Sequence, residues 1–219
     1  MTSLIVQTNE MVTLLGGGAM DPGDLEVALS HAPLLVAADG GADRALAEGL
    51  MPEAVIGDFD SLSEEARRVI PAARLHPIAE QETTDFDKCL RLVEAPLLLG
   101  VGFLGARLDH KLAALAGLTR APGRRCILIG GSDIVFLCPP ELRIELEPGS
   151  RLSLFPMGPV RGESRGLKWP IRGIDFLPGG RIGTSNRVEG GVVELSMAAP
   201  LMLVIVPRAG LGAAISALC

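Results

Sequence analysis

Between residues 11 and 130 short apolar runs alternate with segments of helical period, and this alternation restricts the fold more than any other feature of the chain. Residues 11–15, 33–38, 54–56, 73–76, 96–100 and 126–130 read as strands. Between them, residues 24–30 follow the cap-and-first-turn pair Asp21-Pro22. Residues 63–69 and 84–93 each open on a hydroxyl residue with an acid in the first turn, so all three stretches read as helices. A strand-helix-strand repeat of this kind implies a mainly parallel sheet covered on both faces. After Leu137 the period changes. Pro139-Pro140 is followed by Leu142, Ile144 and Leu146 in alternation, then Leu152 and Leu154, among glycine and proline turns. No amphipathic helix is expected there before the last few residues, so the second part reads as a small antiparallel sandwich or barrel. The expected organisation is an α/β domain over residues 1–138 and an all-β sandwich domain over residues 139–219.

Bulk properties exclude several classes. The 219 residues are 48% hydrophobic, enough for a substantial core. Twenty basic against 26 acidic residues give a net charge of -6, with no basic stripe for a nucleic-acid backbone. The first nine residues lack the basic start and long apolar run of a secretory leader, so a cytoplasmic protein is expected. The apolar run 195–206 is too short to span a bilayer and is interrupted by Ser196 and Pro200, so it reads as two buried strands and no membrane partner is expected. Cys89, Cys126, Cys138 and Cys219 form no CxxC pair and lie far from the histidines, which suits packing thiols better than a zinc or redox site.

In an open parallel sheet ligands bind at the carboxyl ends of the strands. The residues in those positions here are rich in glycine and acid: Gly16-Gly17-Gly18, Asp39-Gly40-Gly41 and Gly57-Asp58-Phe59-Asp60-Ser61. The glycines let backbone N–H groups approach a phosphate, and a tight strand-to-helix turn would select them equally. Asp58 and Asp60 can offer hard oxygen ligands to Mg²⁺ or simply cap the next helix. Thr84 can cap a helix whose apolar face is Phe86, Cys89, Leu90 and Val93, with Asp87 completing a capping box. Asp85 and Lys88 then stand side by side on another face, as a phosphate-binding pair or an ordinary ion pair. Arg107 and Asp109 open a helix whose stripe is expected to be Leu108, Leu112 and Leu115. Arginine matches phosphate oxygens in pairs, and His110 beside them suits a capping or packing role better than a base. Trp169, the one tryptophan in a chain without tyrosine, is either a stacking platform or core.

In this order, Asp39-Gly40-Gly41-Ala42, Gly57-Asp58-Phe59-Asp60-Ser61, Thr84-Asp85-Phe86-Asp87-Lys88 and Gly105-Ala106-Arg107-Leu108-Asp109-His110 resemble the thiamin pyrophosphokinase family. The resemblance continues in Gly166-Leu167-Lys168-Trp169-Pro170 and Thr184-Ser185-Asn186, so it runs nearly end to end. It implies an α/β ATP-binding domain followed by a β-sandwich, in a homodimer holding thiamine where the subunits meet. It places metal-binding carboxylates on Asp58, Asp60 and Asp85, with Asp109 close by, and phosphate contacts on Lys88 and Arg107. Asp39, Gly40 and Gly41, with Gly17, would border the nucleotide, and Trp169, Thr184, Ser185 and Asn186 would meet thiamine. The implied reaction uses Mg²⁺ and ATP: the thiamine hydroxyl attacks the β-phosphorus and AMP leaves. Three departures from the family pattern, Asp43 for Asn, Leu108 for an aromatic residue and Gly183 for Ser, remove none of these groups. Two other readings compete. Asp58-Phe59-Asp60-Ser61-Leu62 is similar to the DxDx(T/V) phosphatase motif, with Leu62 where Thr or Val belongs, and a module that binds Mg-ATP without consuming it would need the same acids.

Overall fold

The computed structural model describes residues 3–219; Met1 and Thr2, the start of the stretch read above as lacking a leader, lie outside it. The chain divides into two compact units at Gly131/Ser132, ahead of the Pro139-Pro140 step, because the strand that follows Gly131 pairs within the second unit.

The first unit contains β1 (Val6–Gln7), β2 (Val12–Leu15), α1 (Asp24–His31), β3 (Leu34–Ala38), α2 (Gly41–Ala47), β4 (Ala54–Gly57), α3 (Glu64–Val69), β5 (Leu75–Pro77), α4 (Asp85–Leu92), β6 (Val93–Glu94), β7 (Leu98–Val101), α5 (Leu108–Arg120) and β8 (Cys126–Gly130). Its strands run β8-β7-β2-β3-β4-β5, and every pairing among them is parallel. Residues of β2, β4 and β7 are buried throughout, because both faces are covered, and so their sequences run without alternation and are apolar except at Thr13, whose hydroxyl donates to Ala32 O at 2.6 Å. A separate parallel pair, β1 with β6, was not expected from sequence.

Strand order sets the site. From β2 the chain steps outward through β3, β4 and β5, then returns to lay β7 and β8 on the other side of β2. The switch falls between β2 and β7, the place where open α/β sheets bind ligands. Two backbone bonds join the turns there: Gly16 N–H donates to Val101 O at 2.8 Å and Gly18 N–H to Gly102 O at 3.0 Å. A Cβ on Gly18 would lie 2.4 Å from Gly102 O, and one on Gly41 would lie 2.0 Å from Leu15 O. Close approach of backbone to backbone therefore requires these glycines whether or not a phosphate ever lies over them.

Helix α4 follows its sequence pattern. Thr84 and Asp87 form the reciprocal capping box, and Phe86, Cys89 and Leu90 are buried. Helix α5 corrects the expected stripe: Leu108 is 67% and Leu112 56% exposed, while Ala114, Gly117 and Leu118 are buried. The cause is the approach to α4. A Cβ on Gly117 would meet Asp87 Oδ1 at 2.9 Å and the Phe86 ring at 3.0 Å, so the small-residue face, not the leucine face, turns inward.

The second unit contains β9 (Asp133–Leu137), β10 (Glu141–Glu145), β11 (Arg151–Pro156), β12 (Gly162–Arg165), β13 (Gly183–Arg187), β14 (Val192–Met197), β15 (Met202–Pro207) and α6 (Leu211–Leu218). The orders β13-β11-β15-β9 and β10-β14-β12 are antiparallel at every pairing. Alternation in β10 puts Leu142 opposite Leu195 and Ile144 opposite Val193, all buried, while Glu141, Arg143 and Glu145 face out. The run 195–206 does form two strands, β14 and β15, broken before Pro200. Cys89, Cys126 and Cys138 are buried thiols and Cys219 is exposed, with no disulfide among them.

Gly41→Ala is expected to cost about 3 kcal/mol, since backbone rather than a movable side chain blocks the new methyl. Urea unfolding of the purified variant measures the loss.

Candidate functional site

Asp39 follows β3 and Asp58 follows β4, so the adjacency of β3 and β4 brings together acids 19 positions apart. One carboxylate oxygen each from Asp39, Asp58 and Asp60 can be chosen so that all three lie within 4.8 Å of one another. Two non-glycine residues in the left-handed region build the cluster: Asp39 with φ 42° and Phe59 with φ 66°. The turn at Phe59 reverses the chain between Asp58 and Asp60. It is fixed from below, where the Phe59 ring and Leu62 join the buried cluster of Ala37, Ala42, Val55, Ala66 and Ile70. Arg67 from α3 places its guanidinium 5.5 Å above the Phe59 ring and donates to Phe59 O.

Asp39 is buried, 3% exposed. Its Oδ2 accepts the Ser61 N–H at 3.0 Å, while Oδ1 is buried without a hydrogen-bond partner among the described residues. Burial, reinforced by the charges of Asp85 and Asp60 against the opposing Ser61 bond, pushes its carboxyl up to about 6. A buried carboxylate oxygen with nothing to accept from, beside two further acids, is the donor set a hard divalent cation would satisfy. Asp58 differs. Burial works against its charge, but the Gln81 amide at 2.6 Å, the Asp60 N–H and Lys88 outweigh it and hold Asp58 below the usual carboxylate range.

Asp85 and Lys88 occupy the first turn of α4. Asp85 stands across Gly57 from Asp39: a Cβ on Gly57 would lie 2.8 Å from Asp39 Cβ and 3.2 Å from Asp85 Oδ1. Lys88 is 1% exposed and donates to Asp85 Oδ1 at 2.9 Å, with Asp58 Oδ2 at 3.9 Å. Burial alone would lower its affinity for a proton, but Asp85, Asp58 and Glu80 raise it above the ordinary lysine range. Asp85 and Lys88 therefore form an ion pair beside the acids, with the ammonium buried and the carboxylate partly exposed.

The glycine residues also converge. A Cβ on Gly17 would lie 3.4 Å from Gly40 C, and Arg44 of α2 donates to Gly17 O at 3.1 Å. Gly17, Gly40 and Gly41 thus sit where the turns after β2 and β3 abut. Asp43 accepts the N–H and hydroxyl of Ser63, which caps α3, so it ties α2 to α3. Arg107 and Asp109 pair with each other at 2.6 Å on the surface, 68% and 66% exposed, rather than with the acidic cluster. His110 is exposed beside them.

In the second unit, Asn186 is buried and spends its amide on the main chain of Trp169. It accepts the Trp169 N–H at 3.2 Å and donates to Trp169 O at 2.7 Å. Trp169 itself is 52% exposed, with the Lys168 ammonium 5.0 Å over its ring, so it lies at the surface and not in the core. Ser185 has φ 59° and donates its N–H to the buried Ser153 Oγ at 2.9 Å, where the β11–β13 register shifts. The exposed hydroxyls of Thr184 and Ser185 flank it.

Sequence reading gave Asp39 to the nucleotide and passed over Gln81 and Arg67. Asp39 carried the same signal as Asp58, an acid directly after a strand. Gln81 carried none, since its contact with Asp58 spans 23 positions. Among the described residues, no helix is long and apolar enough to cross a membrane.

Residues 25–128 match the family described as thiamin pyrophosphokinase, catalytic domain, and residues 141–202 match thiamin pyrophosphokinase, vitamin B1 binding domain. The chain is 28% identical over 214 residues to thiamine pyrophosphokinase 2 of Arabidopsis thaliana, covering 80% of this chain and 78% of that one. It is 28% identical over 185 residues to thiamine pyrophosphokinase of Bacillus subtilis, covering 78% of this chain and 86% of that one. The fold is that of the solved thiamin pyrophosphokinase from Candida albicans, with a TM-score of 0.76 at 18% identity over 91% of this chain and 90% of that one.

The raised Asp39 carboxyl fixes a pH dependence. Unfolded, the group ionises near 3.8, and folded it holds its proton up to about 6. The folded state binds more protons in that window, so its contribution to stability falls as pH rises through it. Asp39→Asn keeps an oxygen for the Ser61 N–H and removes the charge. In EDTA it should be more stable than the unaltered protein above about pH 6, by on the order of 1–3 kcal/mol, and no more stable below about pH 4. Urea unfolding at the two pH values checks this.

Proposed function

The chain belongs to the thiamin pyrophosphokinase family, and from that premise we propose that it transfers the pyrophosphoryl group of ATP to the hydroxyl of thiamine, releasing AMP. The observation that carries the reading is the unpartnered Asp39 Oδ1 facing Asp58 and Asp60 at the carboxyl ends of β3 and β4. Asp39, Asp58 and Asp60 would hold Mg²⁺, with Asp85 across Gly57 as a further carboxylate. Bound there, the metal would neutralise phosphate charge that otherwise repels a hydroxyl nucleophile.

The remaining steps fall to this chain's side chains. Lys88, buried and already charged, offers developing negative charge an ammonium whose position Asp85 fixes, so little reorganisation accompanies the reaction. Arg107 can exchange Asp109 for a phosphate oxygen at small cost, because an exposed ion pair is weakly held. The turn Asp39-Gly40-Gly41 and Gly17 present backbone free of side chains where a nucleotide would border the acids. In the second unit the exposed Trp169 ring, held by Asn186 through its main chain, is a flat face for the pyrimidine of thiamine, and the Thr184 and Ser185 hydroxyls are its polar neighbours. The reading assigns the nucleotide to the first unit, which ends at Gly131, and thiamine to the second, which begins at Ser132. It also includes a homodimer with thiamine where the subunits meet, and a cytoplasmic location.

Incubation with ATP, Mg²⁺ and thiamine should yield AMP and thiamine diphosphate in equal amounts. Inorganic phosphate released without thiamine would instead support hydrolysis through Asp58, and bound but unconsumed ATP would support a binding module. Asp58→Asn should lower turnover on the order of 10²-fold at matched Mg²⁺, and unchanged turnover would remove Asp58 from the site.

A further inference from the structure

Between β5 and α4 the chain has no regular structure until Thr84, yet one side chain there collects four donors. The Glu80 carboxylate accepts the N–H of Glu82 at 3.0 Å, the N–H of Thr83 at 3.1 Å, the Thr83 hydroxyl, and Arg91 Nη2 of α4 at 3.0 Å. Three of the four come from the loop itself, so the carboxylate closes residues 80–83 into a turn, and Arg91 fastens that turn to α4. Gln81 lies inside it. Its side chain is exposed and would be mobile on a free loop, but here its Nε2 donates to Asp58 Oδ2 at 2.6 Å. Asp58 Oδ1 takes the Asp60 N–H at 3.3 Å, so both carboxylate oxygens are oriented.

An exposed Glu–Arg pair alone contributes little. What Glu80 adds is a closed turn: its backbone bonds fall on Glu82 and Thr83, just past Gln81, and hold the segment from which the Gln81 amide reaches Asp58. We propose that Glu80 is a positioning residue, which acts through Gln81 to hold the Asp58 carboxylate in its cation-binding orientation and thereby sets the affinity of the acidic cluster for divalent metal. The proposal rests on the metal reading above and identifies what supports it from outside the cluster. Partners that orient a ligand in this way are worth about 10- to 100-fold in metal affinity.

The test is Mn²⁺ binding followed by electron paramagnetic resonance, with thermal unfolding recorded in EDTA for every variant. Glu80→Ala and Gln81→Ala should each weaken Mn²⁺ roughly 10-fold, and the double variant should be no weaker than either, since one acts through the other. Glu80→Gln, which keeps an acceptor oxygen and the fold, should recover part of the affinity. Arg91→Ala, which breaks the ion pair and leaves the turn, should lose little. Unchanged affinity in Glu80→Ala and Glu80→Gln, losses that multiply in the double variant, or an Arg91→Ala loss equal to that of Glu80→Ala would overturn the proposal while leaving the metal reading in place. Absence of saturable Mn²⁺ binding by the unaltered protein would overturn both.

Discussion

An ammonium group sealed from water cannot stand without countercharge, and Lys88 meets that demand from two directions, Asp85 in its own helical turn and Asp58 after the neighbouring strand. The first unit is arranged around this constraint. Helix α4 must start where Asp85 and Lys88 reach the strand ends, and its start is fixed by the Thr84–Asp87 box and by Arg120 of α5, which bonds Asp87 at 2.7 Å. The small face of α5 is the price of bringing Arg120 that close. With Lys88 engaged, Asp39 and Asp60 remain unneutralised, and the positive-φ backbone at Asp39 and Phe59 keeps them converging. The cluster is therefore held in a repulsive arrangement by packing beneath it, as the proposed cation site requires.

Much of this could be read from the sequence, for identifiable reasons. Strands buried on both faces are almost wholly apolar, so β2, β3, β4, β7 and β8 were visible, and the Thr84 helix announced its own cap. Strand order was not visible, and with it went the proximity of Asp39 to Asp58, which depends on β3 lying beside β4. Helix α2 was hidden because its buried residues, Gly41, Ala42 and Ala45, are all small and make a weak apolar period. The α5 face was misread because leucine outweighs glycine in any periodic pattern, although close helix contact selects glycine. Gln81 and Glu80 look like ordinary polar loop residues until the turn is folded.

The second unit teaches a related lesson. Thr184-Ser185-Asn186 is legible as a motif, yet its three residues divide the work: Asn186 clamps Trp169 from within, while Ser185 accommodates a register shift and leaves its hydroxyl outside. A motif therefore marks a place whose residues need not all touch a ligand. The exposed Trp169 ring and the buried Asn186 amide are complementary, one presented and the other holding the backbone that presents it.

The claim on which the account turns is that the Asp39, Asp58 and Asp60 carboxylates enclose a single cation. Anomalous scattering from crystals grown with Mn²⁺ locates the ion directly. The account predicts a peak bounded by those three carboxylates, with Asp39 Oδ1 among its ligands; a peak elsewhere, or density in which Asp39 Oδ1 stays unligated, would contradict it.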